Sequence, residues 1–140
     1  MLILDTDHLS ILDRDTIEAF NLERRLASIS PEEVAVSIIT YEEQMRGWFA
    51  VVAQARTTPQ QVEAYRKLRR FINQFGRINL IDYDAQAASE FEQLRQAKVR
   101  IGTKDLRIAA ICLANNAMLL SRNLKDFRQV PGLTVEDWSG

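Results

Sequence analysis

Apolar residues along this chain follow two rhythms. Short unbroken runs occur at residues 2–4 (Leu-Ile-Leu), 34–36 (Val-Ala-Val), 78–81 (Ile-Asn-Leu-Ile) and 117–120 (Ala-Met-Leu-Leu), with a weaker one at 133–135 (Leu-Thr-Val). Runs of this length bounded by polar residues predict strands. Between them, apolar residues recur at helical spacing. Helices are predicted at about 15–28, about 40–55 (Met45, Trp48, Phe49, Val52) and from Pro59 to Gly76. The inner face of the last is read as Val62, Tyr65, Leu68, Ile72 and Phe75. Two more helices are predicted at 84–98, with Ala88, Phe91 and Leu94 inward, and at about 104–115, with Thr103 as N-cap. Strands alternating with helices predict an α/β fold: a central, mainly parallel five-stranded sheet flanked by helices in three layers. No repeat, linker or low-complexity tract interrupts the pattern, so residues 1–140 are read as a single domain.

Composition adds little and excludes some classes. One cysteine, Cys112, rules out an internal disulfide framework, and its apolar neighbours mark it as a small buried residue. The apolar start is too short for a signal peptide, and no stretch is long enough to span a membrane. The expectation is a cytoplasmic protein. A net charge of −1 argues against a generic nucleic-acid binder. That objection weakens if carboxylates hold divalent cations, which reverse the local sign.

The acidic residues fall in places that matter. Ligands of open parallel sheets bind beyond the carboxyl ends of the strands. Asp5 follows the first strand directly, where the pattern offers it no capping role. Ser37 ends the second strand, and Glu42 and Glu43 follow. Ser121 ends the fourth, followed by Asn123 and Asp126, and Asp105 lies in the first turn of the helix feeding that strand. Crowded carboxylates stay ionised together only around positive charge, and hard ions such as Mg²⁺ or Mn²⁺ suit oxygen ligands. Taken singly, Asp105 equally suits a helix dipole, Asn123 an N-cap with Asp126 as its first-turn acid, and Glu42 and Glu43 a solvated first turn.

The same residues resemble the PIN-domain family, and within it the VapC-like branch. Ile3-Leu4-Asp5-Thr6-Asp7 looks like the family's first motif. Val36-Ser37-Ile38-Ile39-Thr40-Tyr41-Glu42-Glu43-Gln44-Met45-Arg46-Gly47 is similar to the second. Gly47 stands four places beyond Glu43, which makes Glu43 the matching acid and Glu42 the runner-up. Gly102-Thr103-Lys104-Asp105-Leu106-Arg107 resembles the third, and Leu119-Leu120-Ser121-Arg122-Asn123-Leu124-Lys125-Asp126-Phe127 the fourth. The fourth departs from the wider family, in which some members carry Asp at the position of Asn123.

The resemblance implies a PIN-like fold, a Mg²⁺ or Mn²⁺ site and hydrolysis of RNA. It also implies a homodimer and a cognate antitoxin that blocks the site. On that basis Asp5, Asp105, Glu43 and Asp126 are the expected catalytic and metal-binding residues. Glu43 would help position or deprotonate the attacking water, and Thr6, Ser121 and Asn123 would support the ligands by hydrogen bonds. RNA phosphates need cations. Candidates are Arg95, Lys98, Arg100, Lys104 and Arg107 beside Asp105, and Arg122, Lys125 and Arg128 beside Asp126. Phe127 and Trp48 are read as core residues in preference to base-stacking ones, and His8 is given no catalytic role. The competing readings are a haloacid-dehalogenase-like phosphatase using Asp5 as nucleophile, and a non-catalytic PIN-like RNA-binding or scaffold domain.

Overall fold

The computed structural model describes residues 1–140. Strands β1 (Leu2–Leu4), β2 (Val34–Ser37), β3 (Asn79–Ile81), β4 (Met118–Leu120) and β5 (Val135–Glu136) form one sheet in the order β3-β2-β1-β4-β5. Every adjacent pair is parallel. Helices α1 (Thr6–Leu12), α2 (Ile17–Leu26), α3 (Ile38–Gln54), α4 (Thr58–Phe75), α5 (Ala85–Gln96), α6 (Thr103–Ala114) and α7 (Leu124–Phe127) cover it.

Strand β1 is central and reads Leu-Ile-Leu because both of its faces are buried. Successive side chains point to opposite faces, and the register carries this across the sheet. Ile3 is level with Ala35 and Leu119, and all three join the core under α5 and α6. Leu4 is level with Val36 and Leu120, which join the second core with Ile11, Leu22, Phe71 and Phe75.

The same register makes the ends of β1, β2 and β4 level, so Asp5, Ser37 and Ser121 emerge side by side. The Asp5 N–H donates to the Leu120 carbonyl at 2.9 Å. The chain winds outward from β1 to β3, then returns to place β4 on the other side of β1. The order therefore reverses between β1 and β4, where α/β sheets open their ligand crevice.

Four details differ from the sequence reading. Helix α1, over largely polar residues, is absent from the hydrophobic pattern. Asp5 is its N-cap and accepts from the Thr6 N–H at 2.8 Å, so it does have a capping role. Gly102 is the N-cap of α6, and Thr103 is its first residue. The inner face of α4 is Ala64, Leu68, Phe71 and Phe75, whereas Val62, Tyr65 and Ile72 are exposed. Both stripes have helical spacing. They share Leu68 and Phe75, and packing selects the one that adds Phe71, which stacks on Tyr41 and meets Trp48, while Phe75 meets Tyr41 edge-on.

Candidate active site at the crossover of the sheet

Asp5 is buried, 6 % exposed, at the end of β1. Its Oδ2 accepts from the Ser121 hydroxyl at 2.7 Å, while Oδ1 caps α1. Ser121 Oγ also accepts from the Asn123 N–H at 3.0 Å. Below Asp5, the buried Thr40 hydroxyl lies 3.4 Å from both Thr6 Oγ1 and Ser37 Oγ, linking the ends of β1 and β2.

Asp105 and Asp126 face each other across Asn123. Asn123 is the N-cap residue of α7 but makes no side-chain cap. Its Nδ2 instead donates to Asp126 Oδ2 at 3.1 Å and approaches Asp105 Oδ2 at 3.4 Å. This amide holds two carboxylates together, a different use from the capping role that the sequence also allowed. The adjacent glutamates separate. Glu43 turns inward to Lys104 Nζ at 3.4 Å, beside Asp105. Glu42 turns outward and pairs with Arg46 at 2.8 Å.

These acids perturb one another. Burial pushes Asp5 from 3.8 up to about 6, and the charges of Asp7 and Asp105 act in the same direction against the Ser121 and Thr6 hydrogen bonds. Burial, then the charges of Asp126, Glu43 and Asp7, hold Asp105 above the usual carboxylate range. Such raised values in a cleft mark sites that lack a countercharge. No three His, Cys, Asp or Glu side chains close into a ready-made ion cage. A hard divalent ion needs none, because it keeps several of its own waters and is commonly held through one or two carboxylates. The all-oxygen donor set of Asp5, Glu43, Asp105 and Asp126 fits such an ion. The buried Cys112, its thiol pushed up by burial, supplies no soft ligand.

Of the candidate cations, Lys104 pairs with Glu43 at 3.4 Å and remains 44 % exposed. Arg95 and Arg107 stack over Phe91 at 5.9 and 5.6 Å. Lys98, Arg100, Arg122, Lys125 and Arg128 are exposed. Phe127 is fully buried and Trp48 is half-buried, as core residues.

The sequence assigns no role at the site to Asp7 or His8. Asp7 Oδ2 accepts from the Arg122 N–H at 2.9 Å and lies 3.3 Å from Ser121 Oγ. His8 is fully buried against Asp7. The only signal in the sequence was an Asp-His pair just past a strand, whose partners lie more than a hundred residues away.

The chain is similar to known proteins in sequence and in fold. The PIN domain family matches residues 2–133. Ribonuclease VapC2 of Rickettsia felis is 36% identical over 67 residues, 45% of this chain and 50% of that protein. Over that match, the chain spans about half the length of this relative. Ribonuclease VapC1 of Haemophilus influenzae strain R2866 is 26% identical over 123 residues, 84% of each. The crystal structure of VapBC2 from Rickettsia felis bound to a DNA fragment from their promoter contains a chain that superposes with a TM-score of 0.69. That match has 26% identity over 98% of both chains. With the family's match running through nearly all of the sheet and every acid of the crossover, this chain belongs to the PIN domain family.

Proposed function

We propose that this chain is a divalent-cation-dependent endoribonuclease that hydrolyses RNA phosphodiester bonds, acting as the toxin of a VapBC-like toxin–antitoxin pair. One observation carries the reading. Acids from four separate segments of a PIN domain share one edge at the sheet's crossover, where Asp5 and Asp105 are held above their ordinary range. The VapC names of its relatives support the same chemistry. We take residues 1–140 as a single nuclease domain, since both cores are built on the one sheet.

Asp5, Asp105, Glu43 and Asp126 would hold Mg²⁺ or Mn²⁺. Such an ion, when bound, supplies Lewis-acid polarisation of a phosphate oxygen and a more acidic water. The chain's own residues set the geometry. Ser121 and the Thr6 N–H fix both oxygens of Asp5, and Asn123 fixes the facing oxygens of Asp105 and Asp126. Glu43, beside that pair, accepts a proton from the attacking water, and Lys104 steadies its charge. Lys104, Arg122 and Lys125 attract the phosphates.

A cognate antitoxin is the proposed protein partner. A groove of about 530 Å³, lined by Leu9, Leu12, Trp48, Phe71, Phe75 and Ile78, suits the apolar face of a helix. A second copy of the chain is the other proposed partner, and exposed Phe49, Val51, Val62 and Tyr65 on α3 and α4 offer it an apolar face. No helix is long and apolar enough to cross a membrane.

Asp5→Asn and Asp105→Asn, each assayed on cellular RNA with Mn²⁺ and with chelator, test the reading. Loss of cleavage in both is expected, and full activity in either rejects it. A phosphoenzyme trapped on Asp5 would favour the phosphatase, and failure to bind Mn²⁺ at millimolar concentration would favour the scaffold.

A further inference from the structure

His8 has no exposed surface, yet both of its ring nitrogens are engaged. The Trp138 N–H donates to Nε2 at 3.1 Å. A backbone N–H can only donate, so Nε2 carries the lone pair and Nδ1 carries the hydrogen. Nδ1 lies 2.8 Å from Asp7 Oδ1 and donates to it. The other Asp7 oxygen takes the Arg122 N–H at 2.9 Å. Ser121 has one hydroxyl hydrogen, and its contacts of 2.7 Å to Asp5 and 3.3 Å to Asp7 direct that hydrogen to Asp5. Each Asp7 oxygen thus accepts a hydrogen bond from the chain, which fixes the orientation of its carboxylate.

The far end of this chain of bonds is also held. The Trp138 indole donates to Glu136 Oε2 at 3.3 Å, and the Arg25 guanidinium lies 4.5 Å over its ring. Asn21 Nδ2 donates to the Ser139 carbonyl at 3.3 Å. Asp137 Oδ1, 3.5 Å from His8 Nε2, already accepts from the Ser139 N–H and hydroxyl.

We propose that His8 and Asp7 are positioning residues. They hold the 121–122 backbone in place beside Asp5: the Trp138 N–H fixes the ring tautomer, the His8 Nδ1–H holds Asp7, and Asp7 holds the Arg122 N–H. This rests on reading the acidic edge as the cation site. Asp7 must be a carboxylate here, because an amide in its place would set a donor against either His8 Nδ1 or the Arg122 N–H. A relay of this kind orients a ligand without touching the ion, as outer partners of metal ligands commonly do.

Two substitutions divide the roles of the ring. In His8→Asn the amide nitrogen reaches the place of Nδ1 and still donates to Asp7. In His8→Gln the amide oxygen reaches the place of Nε2 and still accepts from Trp138, but Asp7 loses its donor. Both remove packing volume, and urea unfolding measures that shared cost. Hydrogen exchange at the Arg122 amide in metal-free protein, with α4 amides as reference, reads the relay directly. Calorimetric titration with Mn²⁺ alone reads its consequence.

His8→Gln is expected to speed Arg122 exchange at least about tenfold and weaken Mn²⁺ binding about tenfold to a hundredfold, whereas His8→Asn keeps both near the unsubstituted protein. Unchanged exchange and affinity in His8→Gln, or equal losses in both variants, would overturn the proposal. If the unsubstituted protein binds no Mn²⁺, the nuclease reading fails, and the Arg122 comparison still decides the relay.

Discussion

The Ser121 hydroxyl donates to Asp5 Oδ2 across 2.7 Å, joining two residues 116 positions apart in the chain. The bond spans the gap between β1 and β4, where the sheet order reverses. It pulls the Asp5 carboxyl downward, but burial outweighs it and leaves the group at about 6.

That balance predicts how metal-free stability depends on pH. The folded state binds the Asp5 proton more tightly than the unfolded chain does, so stability falls as pH rises from about 4 to about 6 and stays low above. A rise from 3.8 to about 6 corresponds to about 3 kcal/mol at neutral pH. Asp5→Asn is expected to raise the urea midpoint of metal-free protein at pH 7 and to flatten this pH response. Mn²⁺ is expected to stabilise the original chain at pH 7 and to lose that effect below about pH 5, as Asp5 takes up its proton. Equal midpoints for the two chains from pH 4 to pH 7 would contradict the account.

The divergent directions of the two adjacent glutamates give a second expectation. Glu43→Gln removes the proton acceptor beside Asp105 and should slow single-turnover RNA cleavage roughly a hundredfold or more. Glu42→Gln removes only an exposed pair with Arg46 and should change cleavage by less than about twofold. Reversed effects would mean that α3 presents its other edge to the substrate.

Asn123 offers a third. Asn123→Ala leaves Asp105 and Asp126 without their shared donor and should weaken Mn²⁺ binding roughly tenfold or more, read by calorimetry. Asn123→Asp adds a third negative charge between them. It should lower metal-free stability at pH 7, and added Mn²⁺ should restore that stability. A metal-free Asn123→Asp chain as stable as the original would remove the like-charge argument.

Gly47 lies inside α3, one turn beyond Glu43, and an added methyl would meet nothing within 4 Å. Gly47→Ala should therefore stabilise the protein by about 0.5–1 kcal/mol in urea unfolding. Fast cleavage in this variant would show that RNA needs no close approach to the backbone there. A gain in stability with a loss of cleavage would place the substrate against this turn.

Periodicity was enough to expose the α/β alternation, the five strands to within a residue or two, and the acids at their ends. An apolar run such as Leu2-Ile3-Leu4 is a direct consequence of burial on both faces. Periodicity failed where two answers share one period. For the inner face of α4 it placed Leu68 and Phe75 correctly but added Val62, Tyr65 and Ile72, where packing against Tyr41 and Trp48 instead turned Ala64 and Phe71 inward. It also passed over α1, where a short helix of mostly polar residues is held by the Asp5 cap and a buried histidine.

The local sequence supplied the candidate acids and, through the motif, favoured Glu43. Only the tertiary structure showed Glu43 turned toward Lys104, Asn123 bridging two carboxylates, and His8 bonded between Asp7 and Trp138. Those outcomes depend on atoms from segments up to 130 residues apart meeting at hydrogen-bond distance. Neighbouring side chains along a strand or helix record which face is dry. Which polar group meets which is decided when the strands align and the crossover closes.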